Sequence, residues 1–491
     1  MGNMSEKIEH VVVLMLENRS FDSMLGGLYP KSPGFNGLSG NESNPCSGQQ
    51  DVRVWSSNAT DPQSMTVPDP DPGELWADIN MQLFGLNGTP GTQPPPMNGF
   101  VDNYVTQTTA PSANYQPASI MHYYDPAQVP VISQLARQFA VSDQWFASAP
   151  CQTWPNRFFL HCATAGGYEN NSPTHFPYLM ETVFNRFEDA GKPWKIYFHD
   201  FPQTLTLTKL WSNPDHFCLF DQFLEDAKNG NLPDYAFIEP RYFPDVKLPN
   251  DQHPPHNVGM GEELIADVYN AVRNAPTWQK TLLLIIYDEH GGCYDHAPPP
   301  TAVPPDDSNP QPFGFDRYGL RVPAVLVSPY IRPGTILRAV QSADLPHNGP
   351  PFPFDHTSVI ATLMRGFGLI ATAPPLTNRD AAAPSLEEVL NLDTPDNDGP
   401  LTISSLPYPM TDSDIQKALT TPLNDFQKGL HEAAFYLPAL GLIEDIENLA
   451  DQIEQHVDNI INQTLGEVPA NTTPADAVPF ISRQLRAFFG W

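Results

Sequence analysis

The stretch Lys280–Gly292, KTLLLIIYDEHGG, decides the fold. Six apolar residues run without a break from Leu282 to Tyr287 and stop at two carboxylates and two glycines. A short, uninterrupted apolar run is the mark of a strand buried on both faces, as in a parallel sheet. Just upstream, EELIADVYNAVRNAPTW (262–278) places Leu264, Ile265, Val268 and Val272 at helical spacing, which predicts an amphipathic helix. Near the start of the chain, HVVVLMLEN (10–18) repeats the pattern of an apolar run ending in Glu17 and Asn18. PWKIYFHD (193–200), DYAFIEP (234–240) and LRVPAVLVSPYI (320–331) read as further strands. VPVISQLARQFAVSDQWFAS (129–148) reads as a helix to about Phe139 and then a short strand. Helices alternating with continuous apolar strands predict an α/β fold, a mainly parallel sheet sandwiched by helices. In such sheets ligands gather at the carboxyl ends of the strands. Glu17, Asn18, Asp288 and Glu289 all stand at such ends, so one sheet edge is expected to bring them together.

Composition narrows the function. With 491 residues the chain can bury a large core in more than one domain. Its 55 prolines, roughly twice the average usage of about 5%, cluster in stretches such as PDPDPGELW (68–76) and predict long ordered loops. The 56 acidic residues against 25 basic ones give a net charge of −31. Bulk electrostatics therefore exclude nucleic acid as a partner and disfavour an anionic membrane surface. No run approaches the ~20 apolar residues of a membrane span. The apolar run Val11–Leu16 is too short for the core of a secretory signal. Export by a non-classical route and a cytoplasmic location both stay open. Five cysteines (Cys46, Cys151, Cys162, Cys218, Cys293) form no CxxC pair and are odd in number, so neither a disulfide framework nor a zinc ribbon is expected.

After about Ala373 the composition shifts to proline and aspartate. This predicts a catalytic domain over 1–373, a linker over 374–424 and a helical region over 425–491. In the last region Ile443, Ile446, Leu449, Ile453, Val457 and Ile460 recur at helical spacing, with an acidic opposite face. The tail AVPFISRQLRAFFGW (477–491) mixes Phe480, Ile481, Leu485, Phe488, Phe489 and Trp491 with Arg483 and Arg486. That mixture suits peripheral membrane contact, and equally a helix docked in a core groove. The oligomeric state is left open.

Adjacent carboxylates facing a Glu-Asn pair suit a divalent cation with hard oxygen ligands, since two uncompensated neighbouring anions repel. The alternative is a turn or cap at each strand end. In PCQTWPNR (150–157) a threonine precedes a proline and an arginine. Its hydroxyl is a weak nucleophile that a metal can activate, while alone it would read as a turn at a helix start.

Taken together, ENRSFDSMLG (17–26), QTWPNR (152–157), DQHPPHNV (251–258), YDEHGGCYDH (287–296) and FDHTS (354–358) resemble the phosphoesterase family. That family holds bacterial phospholipases C, AcpA-type acid phosphatases and plant non-specific phospholipases C. The resemblance spans about residues 8 to 370. It implies an alkaline-phosphatase-like core, with Glu17, Asn18, Thr153, Asp288 and Glu289 holding a divalent cation, whether Ca, Mg, Mn, Zn or Fe. Thr153 would be both ligand and nucleophile, forming a phosphothreonine. His122 and His253 match active-site positions, His256 competes with His253, and His356 lies inside a motif. Sulfatase cousins carry Cys or Ser before x-Pro-x-Arg. Thr153-x-Pro155-x-Arg157 cannot form their aldehyde, which favours phosphoryl transfer. Cys151 departs from the family, which often has glycine there. The implied function is a metal-dependent phospholipase C cleaving a phosphatidylcholine-like lipid to diacylglycerol and a phosphorylated head group. A broad-specificity acid phosphatase is the alternative. A non-catalytic lipid-binding protein would be expected to lack the nucleophile or a ligand, and all five are present.

Overall fold

The computed structural model describes residues 4–57, 62–107, 116–308, 310, 312–340, 351–408, 410–440, 449–461 and 468–491. Its strands are β1 (His10–Leu16), β2 (Ser43–Asn44), β3 (Val52–Arg53), β4 (Ala140–Ser142), β5 (Trp194–Phe198), β6 (Phe217–Leu219), β7 (Tyr235–Ile238), β8 (Thr281–Tyr287), β9 (Ala324–Val327) and β10 (Thr335–Leu337). Eight of them form one sheet in the order β10-β4-β9-β8-β1-β7-β5-β6, while β2 and β3 make a separate antiparallel ribbon. The two apolar runs pair at its centre. β1 and β8 are parallel, with Leu14 beside Ile285 and Leu16 beside Tyr287. β8 is buried throughout and β1 beyond its first residue. β9 alone runs against both neighbours, β8 and β4. The expected mainly parallel α/β sheet is present, with one reversed strand.

Helices cover the sheet where the spacing predicted them. The helix expected over 262–278 spans Val258–Arg273. It begins earlier because the Asn257 side chain accepts the Gly259 N–H as a cap, and it ends three residues before Pro276. The helix Pro130–Gln138 is followed by β4 as read. Thr153 opens the helix Thr153–Cys162, all of whose residues are buried.

Beyond residue 373 the chain stays on the same core. Arg379 is buried and donates to the carbonyl oxygens of Ser148 (2.8 Å) and Phe315 (2.6 Å). Leu386 and Val389 join the main apolar cluster. The helical region expected over 425–491 is interrupted. One helix is Asp425–Ala434, another Leu449–Ile461, and residues 435–440, which include Pro438, are not α-helical. Proline has no N–H to continue a helix. Ile443 and Ile446 lie outside the described residues. The tail forms the helix Pro474–Phe489, and its apolar side is spent on the chain itself. Ile481, Leu485 and Phe488 are buried, and Phe489 and Trp491 stack on Phe198 of β5. Of the two readings of this amphipathic stretch, the docked one describes the contacts.

Candidate active site

The sheet delivers four of the expected residues side by side. β1 ends at Leu16 and β8 at Tyr287, a registered pair, so Glu17–Asn18 and Asp288–Glu289 leave the sheet together. The Asn18 N–H donates to Asp288 Oδ1 (2.9 Å). Asn18 itself sits at φ 53°, in the left-handed region that asparagine tolerates better than most residues. The facing turn needs a glycine. Gly291 has φ 60°, and a Cβ there would lie 2.0 Å from the Asn18 carbonyl oxygen.

The fifth residue arrives from the helix Thr153–Cys162. Thr153 Oγ1 donates to Asn18 Oδ1 (3.2 Å), and its side chain stands at the positive end of that helix. One turn on, Arg157 enters the cluster fully buried. Its Nη2 lies 2.7 Å from Glu17 Oε1 and its Nε 3.3 Å from Asp288 Oδ2. Its sequence motif therefore serves the carboxylates directly.

Two further acids were not singled out in the sequence. The proline-rich loop carries Asp71 and Glu74 to the same place. Glu74 Oε1 accepts from Asn18 Nδ2 (2.6 Å) and lies 3.7 Å from His253 Nε2, while Asp71 Oδ1 lies 3.7 Å from His253 Nδ1. Asp71, Glu74 and His253 can converge on one ion. The only signal in the sequence was acidic residues spaced among prolines in PDPDPGELW.

The charge balance is strongly negative. Five carboxylates (Glu17, Asp71, Glu74, Asp288, Glu289) face two buried guanidiniums, Arg157 and Arg19, which leaves three anions unmatched. Burial pushes Asp288 up to about 7, with Arg157 pulling it back and Glu289 adding to the rise. Burial pushes Glu289 up to about 8. Glu17 and Glu74 also rise well above the usual carboxylate range through burial and then through their acidic neighbours. Glu17 Oε2, Glu289 Oε1 and Asp71 Oδ1 are buried without a hydrogen-bond partner. Hard oxygen donors, surplus negative charge and orphaned oxygens fit a divalent cation.

The histidines divide by environment. His253 is buried, and its Nδ1 donates to the Pro254 carbonyl (2.7 Å), which leaves the lone pair on Nε2 toward Glu74. This is the tautomer of a metal-ligating histidine. Burial lowers its pKa to about 4. His256 is partly exposed and is held by Asp251 Oδ1 (2.7 Å). The Asp251 carbonyl in turn accepts the Glu17 N–H (2.9 Å). His356 uses both ring nitrogens: Nε2 donates to the Asp288 carbonyl (2.6 Å), and Nδ1 accepts from the Trp145 indole (3.4 Å). It fixes the backbone beneath the carboxylates. His122 belongs to another wall, with Nε2 2.9 Å from Ser57 Oγ and its ring edge-on to Trp55 and Tyr124. His290 donates from Nε2 to Gln82 Oε1 (2.8 Å) and turns Nδ1 to Glu289 Oε2 (3.1 Å). Of the aromatic residues near the motifs, which could in principle face a quaternary ammonium, Trp154, Tyr124 and Tyr294 are buried among other rings and Tyr123 is half-buried. Cys151 is buried, and its Sγ lies 3.8 Å from Asn156 Nδ2.

Comparison with known proteins agrees with the geometry. Residues 8–370 match the phosphoesterase family. Non-specific phospholipase C3 of Arabidopsis thaliana is 38% identical over 455 residues, covering 89% of this chain and 83% of the relative. Non-specific phospholipase C6 of the same plant is 39% identical, covering 81% and 75%. Phospholipase C A of Mycobacterium tuberculosis (strain ATCC 25618 / H37Rv) is 28% identical, covering 79% and 78%. Among solved structures, the lipoteichoic acid synthase LtaP from Listeria monocytogenes aligns over 52% of this chain and 70% of its own, at 14% identity and a TM-score of 0.31. That last likeness carries no argument.

Proposed function

The chain belongs to the phosphoesterase family, and from that premise we propose that it is a phospholipase C that hydrolyses phospholipids to diacylglycerol and a phosphorylated head group. The observation that carries the reading is the gathering of four buried carboxylates and the half-buried Asp71, three of the five with an orphaned oxygen, beside the asparagine that accepts the Thr153 hydroxyl. Close relatives bearing the name phospholipase C over most of the chain favour a phosphodiester lipid over a phosphomonoester.

Glu17, Asn18, Thr153, Asp288 and Glu289 would hold the cation, with Asp71, Glu74 and His253 beside them. When bound, it supplies Lewis-acid stabilisation of charge on phosphoryl oxygens and lowers the pKa of a nearby hydroxyl. The chain does the rest. Arg157 opposes the rise in the Glu17 and Asp288 pKa values and holds both carboxylates in place, and His356 holds the Asp288 backbone. Thr153 passes its hydroxyl proton to a carboxylate of the cluster, which returns it at the end of the cycle, and Oγ1 bonds to phosphorus as the bond from phosphorus to the glycerol oxygen breaks. His256, oriented by Asp251, gives the departing oxygen its proton. Water then attacks the phosphothreonine, giving a proton to His256. The phosphorylated head group leaves and Thr153 regains its hydroxyl.

The test is a direct comparison of substrates. Purified protein is assayed with phosphatidylcholine and with a phosphomonoester at matched concentrations and added divalent cations. Faster turnover of the lipid, with diacylglycerol as product, is the expected result. Turnover of the monoester alone would make the protein a phosphatase.

A further inference from the structure

A groove of about 460 Å³ opens beside His256, within the size range of small-molecule sites. We propose that it receives the acyl chains of the phospholipid, with residues beyond the phosphoesterase match forming one wall. This rests on the phospholipase C reading above.

Two sides of the groove come from the catalytic region. The loop bearing Pro244, Leu248 and Pro249 forms one, and Met260 at the start of the helix Val258–Arg273 forms the other. The third side comes from Tyr408 and residues 410–424, where Met410 and Ala418 face in. This wall is seated, not hinged. Tyr408 donates its hydroxyl to the Gln128 carbonyl (3.0 Å), and its ring lies on Gly259, where a Cβ would fall 2.1 Å from the ring.

The groove meets the proposed site at His256. Pro255 and His256 line it, and His256 is bonded to Asp251, whose carbonyl holds the Glu17 backbone. A lipid whose phosphate lies at Thr153 and whose leaving oxygen meets His256 therefore directs its diacylglycerol half into this groove. The mouth suits a lipid surface. Val246, on the loop between Pro244 and Leu248, is 78% exposed, and Met410 is 39% exposed. Apolar side chains standing in solvent beside a largely apolar groove mark an interaction site. The head group fits the groove poorly. Tyr408 is the one Phe, Tyr or Trp ring among its described lining residues, whereas a quaternary ammonium seeks several ring faces.

Diacyl phosphocholines of increasing chain length, each assayed as monomers below its aggregation limit, test the proposal on the full-length chain. In the wild type kcat/KM rises with chain length. In Ala418→Trp, which fills the groove, and Met410→Asp, which polarises it, the shortest lipid is turned over normally. The longest loses about tenfold, the size expected when a few methylenes lose their burial. A chain-length profile unchanged in both variants overturns the proposal. So does an equal loss on every member, which makes the wall structural. Wild-type turnover of a phosphomonoester with none of any diester refutes the phospholipase C reading itself, and the groove's occupant with it.

Discussion

Two buried acid clusters grow from the same pair of segments and differ in one respect. ENRSFD and YDEHGGCYDH supply Glu17, Asn18, Asp288 and Glu289 to the first and Asp22, Asp295 and His296 to the second. Asp22, Asp295 and His296 are close enough to gather around one ion, and so are Asp71, Glu74 and His253 beside the first cluster. In the second, Arg321 binds Asp22 Oδ1 (2.9 Å) and Asp295 Oδ1 (3.0 Å), while Asp22 Oδ2 accepts from His296 Nδ1 (2.6 Å). The remaining oxygen, Asp295 Oδ2, accepts the Asp22 N–H (3.2 Å). Each carboxylate oxygen there has a partner, and Arg321 bridges the two carboxylates. In the first cluster Arg157 meets two carboxylates, yet Glu17 Oε2 and Glu289 Oε1 are left over. Acid density alone thus does not mark a cation site, whereas unmatched oxygens do. The second cluster is a lock that joins the two motifs, and the first is the centre proposed to be reactive.

The largest effect expected from this contrast is at Thr153. Thr153→Ala removes a hydroxyl and a methyl from the first cluster, so the fold should persist while kcat drops by about 10³-fold or more. Steady-state turnover of the lipid with a melting curve checks both halves. Near-normal kcat would move the nucleophile elsewhere.

The second cluster should respond in stability instead. Arg321→Met leaves two buried carboxylates without their cation and should cost about 3–5 kcal/mol in denaturant unfolding. The folded fraction should keep its metal content. A loss of metal without a loss of stability would erase the distinction between the clusters.

A smaller effect depends on pH. Asp288 sits at about 7 and Glu289 at about 8, both raised chiefly by burial. An unfolded carboxyl ionises near 4. The folded values lie above the unfolded ones, so the stability these groups contribute without metal is full below about pH 4 and lost as pH rises through about 7 to 8. A bound cation offsets that loss. Chelation should therefore lower the melting temperature more at about pH 8.5 than at about pH 5.5, as read by calorimetry. A drop independent of pH would contradict the charge assignment.

The sequence made the first cluster half visible. β1 and β8 could be read because continuous apolar runs have few alternatives, and each run handed its acidic pair to the same sheet edge. The direction of β9 could not be read, since a buried antiparallel strand has the same apolar run as a parallel one. Asp71 and Glu74 were hidden for another reason. They sit in a proline-rich loop with no period, and only long-range contacts bring that loop to Asn18. The tail posed a third difficulty. An amphipathic helix presents the same stripe to a membrane as to a core, and the contact of the tail with Phe198 is visible only in three dimensions.

Metal content settles the central claim most directly. Elemental analysis of the folded wild type, Asp288→Asn and Asp22→Asn should find a divalent cation in the wild type and in Asp22→Asn, and little or none in Asp288→Asn. A cation retained by Asp288→Asn, or lost from Asp22→Asn alone, would contradict the assignment of the first cluster as the cation site.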